Sequence, residues 1–235
     1  FISEYPFNEA MNSGRKLRDE RLAPFPRTEY SVKVNRQEYY AIITHMDAQI
    51  GRILDTLEAS GQADNTYIFF TADHGLAVGR HGLMGKQNMF DHSVRVPLMV
   101  VGPDVPKNTK IDARVYLQDV MATSLELSGS KKPEYVQFES LLPLINGETD
   151  RGRDAIYGAY LQGQRMVTYG DYKMILYPSI SKAILYNIAK DPQELNDLAG
   201  QKSHQPTLSK LFAKLMELQQ ETGDELDLTK AFPNL

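Results

Sequence analysis

Two short apolar runs constrain this chain more than any other feature. Thr66–Thr71 is rich in β-branched and aromatic residues, and Val96–Gly102 (VPLMVVG) repeats that character. Neither run alternates with polar residues, so each reads as a strand buried on both faces. Ahead of the first, from about Gln37, Ile43, Met46, Ile50, Ile53 and Leu57 recur at spacings of three and four. That is one face of an amphipathic helix. Gly61 marks its stop and Ala-Asp-Asn a turn. Leu117 to about Ser128 reads as a further helix. Helix, strand, loop, strand, helix is the order of an α/β layer architecture.

The pattern changes near Asp150. The runs AIYGAY, RMVTYG, YKMILYP and AILYNIA are short, alternating and separated by turn residues. They predict a small antiparallel sheet. A terminal helix follows, with Leu208, Phe212, Leu215 and Leu218 on one stripe. The division expected is therefore 1–150 for an α/β domain and 151–235 for a small antiparallel subdomain with its helix. Residues 1–36 read as irregular and polar, with RDERLAPFPR as a loop punctuated by prolines.

Chemistry concentrates between the two apolar runs. Ligands of open α/β sheets bind beyond the carboxyl ends of strands, and Asp73-His74-Gly75 stands at such an end. Gly75 would let the backbone turn sharply there. A carboxylate and a neutral imidazole make a reasonable pair of metal ligands, though two ligands hold no metal by themselves. The plainer reading makes Asp73 a loop cap and His74 a satisfied polar residue. Lys86 closes a stretch containing Gly75, Gly79, Gly82 and Gly85. A lysine there can serve an oxyanion as a point charge, and an isolated one is a solvated surface charge. His81 and His92 read as structural loop histidines, and His45 as a helix histidine with a local partner. His204 is assigned nothing. Tyr157, Tyr160, Tyr169, Tyr172, Tyr177 and Tyr186 read as sheet packing. The expectation is that Asp73, His74 and Lys86 gather at one edge of the main sheet.

Composition removes several classes. Net charge is −4 with both signs interspersed, so no nucleic-acid footprint is visible. No run reaches the length of a membrane span, and no leader pattern is present. The absence of cysteine removes disulfides, zinc–thiolate sites and thiol nucleophiles from these residues. The chain opens on Phe1, which reads as a processed or partial chain.

The string YYAIITHMDAQIGRILDTLEASGQADNTYIFFTADHG, followed by GKQNMFDHSVRVPLMVVGP, resembles the sulfatase family of the alkaline-phosphatase superfamily. GDYKMILYP and LYNIAKDPQELNDLA resemble the C-terminal subdomain of that family. The likeness runs from about Gln37 to Ala199 and implies a mixed sheet with flanking helices. It implies that Asp73 and His74 are metal ligands, usually for calcium. Imidazole is not a preferred calcium ligand, and the residues alone would suggest manganese or zinc. It implies that Lys86 contacts the sulfate group.

Two family features are missing: the Cys/Ser-x-Pro-x-Arg motif whose first residue becomes formylglycine, and the Asp-Asp pair that completes the metal site. The resemblance is therefore to the C-terminal part of a sulfatase, inactive alone, whose partner is the N-terminal half or a second copy. A sulfated carbohydrate is the implied substrate, and a periplasmic or otherwise exported location is the family expectation. The alternatives are a phosphodiesterase or phosphonate monoester hydrolase of the same superfamily, and a non-catalytic binding module. An exposed apolar surface is expected where the strands lack neighbours.

Overall fold

The computed structural model describes residues 1–11 and 14–235. The chain divides into two compact units. One comprises 1–39, 74–96 and 155–235, and the other 40–73 and 97–154. This differs from a division into 1–150 and 151–235. A boundary does fall close to the change of character at Asp150, but the N-terminal residues and the glycine loop group with the C-terminal sheet.

Helix α1 (Glu29–Ala59) starts eight residues before its apolar stripe becomes legible. Its start is set by a reciprocal cap. Thr28 Oγ1 accepts the Ser31 N–H at 3.1 Å, and Ser31 Oγ accepts the Thr28 N–H at 3.3 Å. This is a capping box with serine at its fourth position. Gly61, at φ +71°, follows the helix in the left-handed region, where glycine is unstrained.

In the unit made of 40–73 and 97–154, β1 (Ile68–Thr71) pairs antiparallel with β2 (Leu98–Val101), Ile68 opposite Val101 and Thr71 opposite Leu98. The strands are not buried on both faces. Along β2 the residues alternate between half-buried and exposed, and Met99 and Val101 are 54% and 62% exposed. A two-stranded ribbon has no third strand to cover it. The α1 stripe is open too, with Ile53 67% exposed. The same unit holds α3 (Asp119–Leu127), which begins at a bidentate ion pair, and α4 (Leu142–Ile145). Asp119 takes both Arg153 Nη1 and Nη2, at 2.9 and 3.0 Å.

The other unit is built on a four-stranded antiparallel meander in the order β3 (Ala155–Tyr160), β4 (Gln164–Tyr169), β5 (Tyr172–Tyr177) and β6 (Lys182–Asn187). Its register places Met166, Ile175 and Ile184 in one row and Val167, Met174 and Leu185 in the next. Successive residues face opposite sides, and both sides are covered. One packs with Tyr5, Met11, Leu83 and Phe90. The other packs with Leu208, Leu211, Phe212 and Leu215 of α5 (Gln205–Glu221). Tyr5, Ala10, Met11 and Leu17 of the N-terminal segment are thus part of the core. These side chains have no period for a sequence reading to find, because they lie in irregular chain around short 3₁₀ turns.

Lys173, in β5, is fully buried. Its ammonium lies 2.7 Å from Asp91 Oδ1 and 2.7 Å from Glu194 Oε1. The other Glu194 oxygen accepts the Asp91 N–H at 2.7 Å. Asp91 opens the short helix α2 (Asp91–Val94), so the cluster ties the end of the glycine loop to the sheet. Replacing Lys173 by Met would leave the buried Glu194 carboxylate facing the partly buried one of Asp91 with no cation between them. We expect Lys173→Met to cost about 3–5 kcal/mol of stability at neutral pH, measured by urea unfolding. A loss under about 1 kcal/mol would show that the cluster is solvated.

Candidate functional site

β1 ends at Thr71, and Asp73 and His74 follow at once. The boundary between the two units falls between them, Asp73 in one and His74 in the other. The His74 ring donates from Nδ1 to the Gly75 carbonyl at 3.0 Å, which puts the lone pair on Nε2. Metal-binding imidazoles are commonly fixed in this way by a backbone carbonyl. Gly75 is needed for space and not for a turn. A Cβ there would sit 2.0 Å from the His92 carbonyl oxygen, and the Gly75 N–H donates to Ser93 O at 2.9 Å.

Beyond Gly75 the chain doubles back. Ala77, Val78 and Gly79 donate to Gly85, Met84 and Leu83 at 3.0, 3.3 and 2.7 Å. Gly79 and Gly82 hold positive φ at +93° and +73°. The hairpin returns Lys86 along the chain toward His74.

The loop is braced from the N-terminal segment. Glu20 and Arg27 are an ion pair at 2.8 Å, their side chains 1% and 0% exposed. Glu20 also accepts the Met84 N–H at 3.1 Å and the Gly85 N–H at 2.9 Å. Arg27 donates to the Gly82 carbonyl at 2.5 Å. Next to Glu20, Asp19 lies 3.1 Å from the Lys86 ammonium. Its other oxygen takes Arg18 Nε at 2.6 Å. The Arg18 hydrogen bond, and after it the Lys86 pair, hold the Asp19 carboxyl down at about 2 against the opposing effect of burial. Lys86 is therefore not a solvated charge. Asp19, Glu20 and Arg27 are the members that sequence reasoning missed. An acid pair in a proline-rich loop carries no spacing signal.

His81 and His92 are packing residues. His81 stacks on Phe90 with ring centroids 4.0 Å apart, and Phe90 stacks on His92 at 5.6 Å. Burial pushes His81 down to about 4, with Arg80 adding to it, and His92 down to about 3, with His81 adding to it.

Asp73 and His74 suit a metal ion as part of a ligand set. Among the described residues, no group of three or more His, Cys, Asp and Glu is placed to hold one. Hard cations take roughly six to eight oxygen ligands, more than Asp73 and His74 supply between them. No helix among the described residues is long and apolar enough to cross a membrane.

The chain is similar to known proteins over most of its length. The chain matches the sulfatase family over residues 5–130 and the family described as N-sulphoglucosamine sulphohydrolase, C-terminal, over 79–221. The first match takes in Asp19, Glu20 and Arg27. A choline-sulfatase of Rhizobium meliloti is 33% identical over 74% of this chain and 35% of its own length. An N-acetylglucosamine-6-O-sulfatase of Bacteroides thetaiotaomicron is 30% identical over 80% of this chain and 36% of its own length. A protein solved in complex with its substrate D-glucosamine-2-N,6-O-disulfate superposes with a TM-score of 0.79 at 26% identity, over 89% of this chain and 45% of that one. A phosphonate monoester hydrolase of Agrobacterium radiobacter superposes with a TM-score of 0.76 at 22% identity, over 94% of this chain and 51% of that one. The chain thus spans little more than a third of the two curated relatives.

The stacked histidines generate a pH dependence. Both are held below their ordinary value of 6.5, so the unfolded chain binds more protons than the folded one between about pH 6.5 and 4. Their contribution is fully present above about pH 6.5 and is lost as pH falls from there toward the folded values. Urea midpoints measured over that range should fall with acidity, and His92→Leu should flatten the fall. An equal slope in the variant would mean that His92 takes up its proton as readily in the fold as in the unfolded chain.

Proposed function

The chain belongs to the sulfatase family, and on that premise we propose that the protein carrying it hydrolyses a sulfate ester to an alcohol and sulfate. The observation that carries the reading is the loop from His74 to Lys86. It leads from a strand end with a carboxylate and an oriented imidazole to an ammonium held in place by buried charges. Lys86 would meet the transferring group and stabilise the charge that develops on it. Asp73 and His74 would contribute ligands to a divalent metal, calcium in this proposal, which when bound neutralises charge on sulfate oxygens.

Sulfatases use a metal ion and a formylglycine nucleophile. With no cysteine among the 235 residues, that nucleophile is assigned to sequence outside this chain, and these residues alone to an inactive state. The chain's share of its relatives supports the assignment. The exposed apolar side chains of α1 and β2 suit a surface covered by further sequence. A sulfated carbohydrate is the substrate class we favour. Its support is a relative named for N-acetylglucosamine 6-O-sulfate and a fold neighbour bound to a glucosamine disulfate. Phosphonate monoester hydrolysis is the second reading, because proteins of that name share the fold.

Turnover of 4-nitrophenyl sulfate against a 4-nitrophenyl phosphonate ester by the intact protein, with and without added calcium, separates the two readings. We expect the sulfate to be preferred. Lys86→Ala should lower kcat roughly 10²–10³-fold, as removal of one oxyanion stabiliser does, with a smaller change in KM. A preference for the phosphonate would reverse the assignment, and unchanged kcat would remove Lys86 from the site.

A further inference from the structure

We propose that Asp19 is a positioning residue for Lys86, holding the ammonium where the transferring group must meet it. The inference deepens the reading above and rests on it.

Asp19 divides its two oxygens between two cations. Oδ1 takes Arg18 Nε at 2.6 Å, and Oδ2 lies 3.1 Å from Lys86 Nζ. The Asp19 side chain is 10% exposed, that of Lys86 23% and that of Arg18 77%. One cation is therefore outward, and the other is partly enclosed with the carboxylate. Lysine ends a flexible four-carbon stem and makes a point-charge contact without a preferred direction. A loop lysine without a partner would sample many rotamers. The carboxylate restricts it to the set that keeps this contact.

Asp19 itself has little freedom to move. The Glu20 carboxylate beside it is fixed by the Met84 and Gly85 N–H groups and by Arg27. The Asp19 turn lies directly on the loop, since a Cβ on Gly85 would be 2.7 Å from Asp19 Cβ. The segment that carries the carboxylate and the segment that carries the ammonium are thus locked to each other at the residue after Asp19 and the residue before Lys86. Geometry of this kind is what positioning requires, because small displacements of a charged group cost turnover steeply.

The arrangement has a second consequence. An ionised Asp19 near a bound sulfate repels it. Asp19 therefore weakens ground-state binding of the anion while it improves the placement of Lys86. A residue with only a structural role would show neither the opposition nor the split.

Asp19→Asn in the intact protein tests this with two readouts. First, kcat on an aryl sulfate should fall about 10- to 100-fold, while inorganic sulfate inhibits at an equal or lower concentration. Asp19→Glu should recover part of the lost kcat. Unchanged kcat, or a fall accompanied by equally weakened sulfate inhibition, would overturn the proposal. Second, acylation of Lys86 by an N-hydroxysuccinimide acetate, followed by peptide mass spectrometry, should be several-fold faster in Asp19→Asn, with the remaining lysines unchanged. An unchanged Lys86 rate would show that Asp19 does not hold it. The acylation readout needs no turnover. If the unsubstituted protein hydrolyses no sulfate ester, the functional reading fails, and acylation still decides whether Asp19 holds Lys86.

Discussion

The Glu20–Arg27 pair is the interaction on which the candidate site depends. Two charges removed from water are expensive, and their attraction alone need not repay the loss. Here three further hydrogen bonds run from the pair to the glycine loop backbone, while the buried Arg27 Nε has no hydrogen-bond partner among the described residues. Glu20 takes two successive backbone N–H groups, from Met84 and Gly85. Arg27 gives one N–H to Gly82 O and another to the Glu20 carbonyl. Arg27 also lies over the Phe25 ring, 4.0 Å from its centroid. The loop backbone is thus partly written by side chains more than fifty residues away. A hairpin rich in glycine would otherwise have many conformations to lose on folding.

Lys173 does the corresponding work at the other end of the same segment. Its position in β5 is on the side of the sheet that packs with Tyr5 and Phe90, and there its ammonium meets Asp91 and Glu194. Burial raises the Glu194 carboxyl, and Asp91 adds to that rise, while Lys173 opposes it. The ammonium is what allows two acids to share the pocket. Between the two clusters, Gly75 lies against the His92 carbonyl with no room for a Cβ. The segment from His74 to Asp91 is therefore fastened near both ends and along its hairpin. This is the sort of support that a residue acting on charge in a transition state requires.

The sequence was legible where a local period or a terminal motif carries the information. The four runs after Asp150 became strands in their written order, and the Leu208–Leu215 stripe became the buried face of α5. The Asp-His-Gly string stands at a strand end, as its position after an apolar run implies. Illegible were the features that arise from contacts between distant segments. Nothing in RDERL marks Glu20 as buried or Asp19 as the partner of Lys86, since only the folded chain brings them to a loop more than sixty residues on. The early start of α1 was missed for a different reason. Its signal is the Thr28–Ser31 cap, which lies outside the apolar stripe. Gly75 was legible as a requirement but not as to cause: glycine serves a close approach there, and φ is not positive. The double-sided burial read for β1 and β2 failed because apolar content reports what a strand can bury and not what is present to cover it.

The charge balance at Lys86 bears on the kind of group it can serve. A free ammonium would favour the most highly charged ligand, which among related esters is a phosphate monoester dianion. An ammonium already paired with Asp19 presents little net charge. It still offers N–H donors, and these meet an oxygen at short range whatever the total charge of the group. A dianion would also feel the full repulsion of Asp19, whereas a monoanion feels about half of it, since Coulomb energy scales with the product of charges. Sulfate esters and phosphonate monoesters are both monoanions at neutral pH. On the proposed reading, the Asp19–Lys86 pair therefore selects against phosphate monoesters without separating sulfate from phosphonate. The choice between sulfur and phosphorus must then be made by groups that contact the leaving alcohol, the nucleophile or the metal, and not by the lysine.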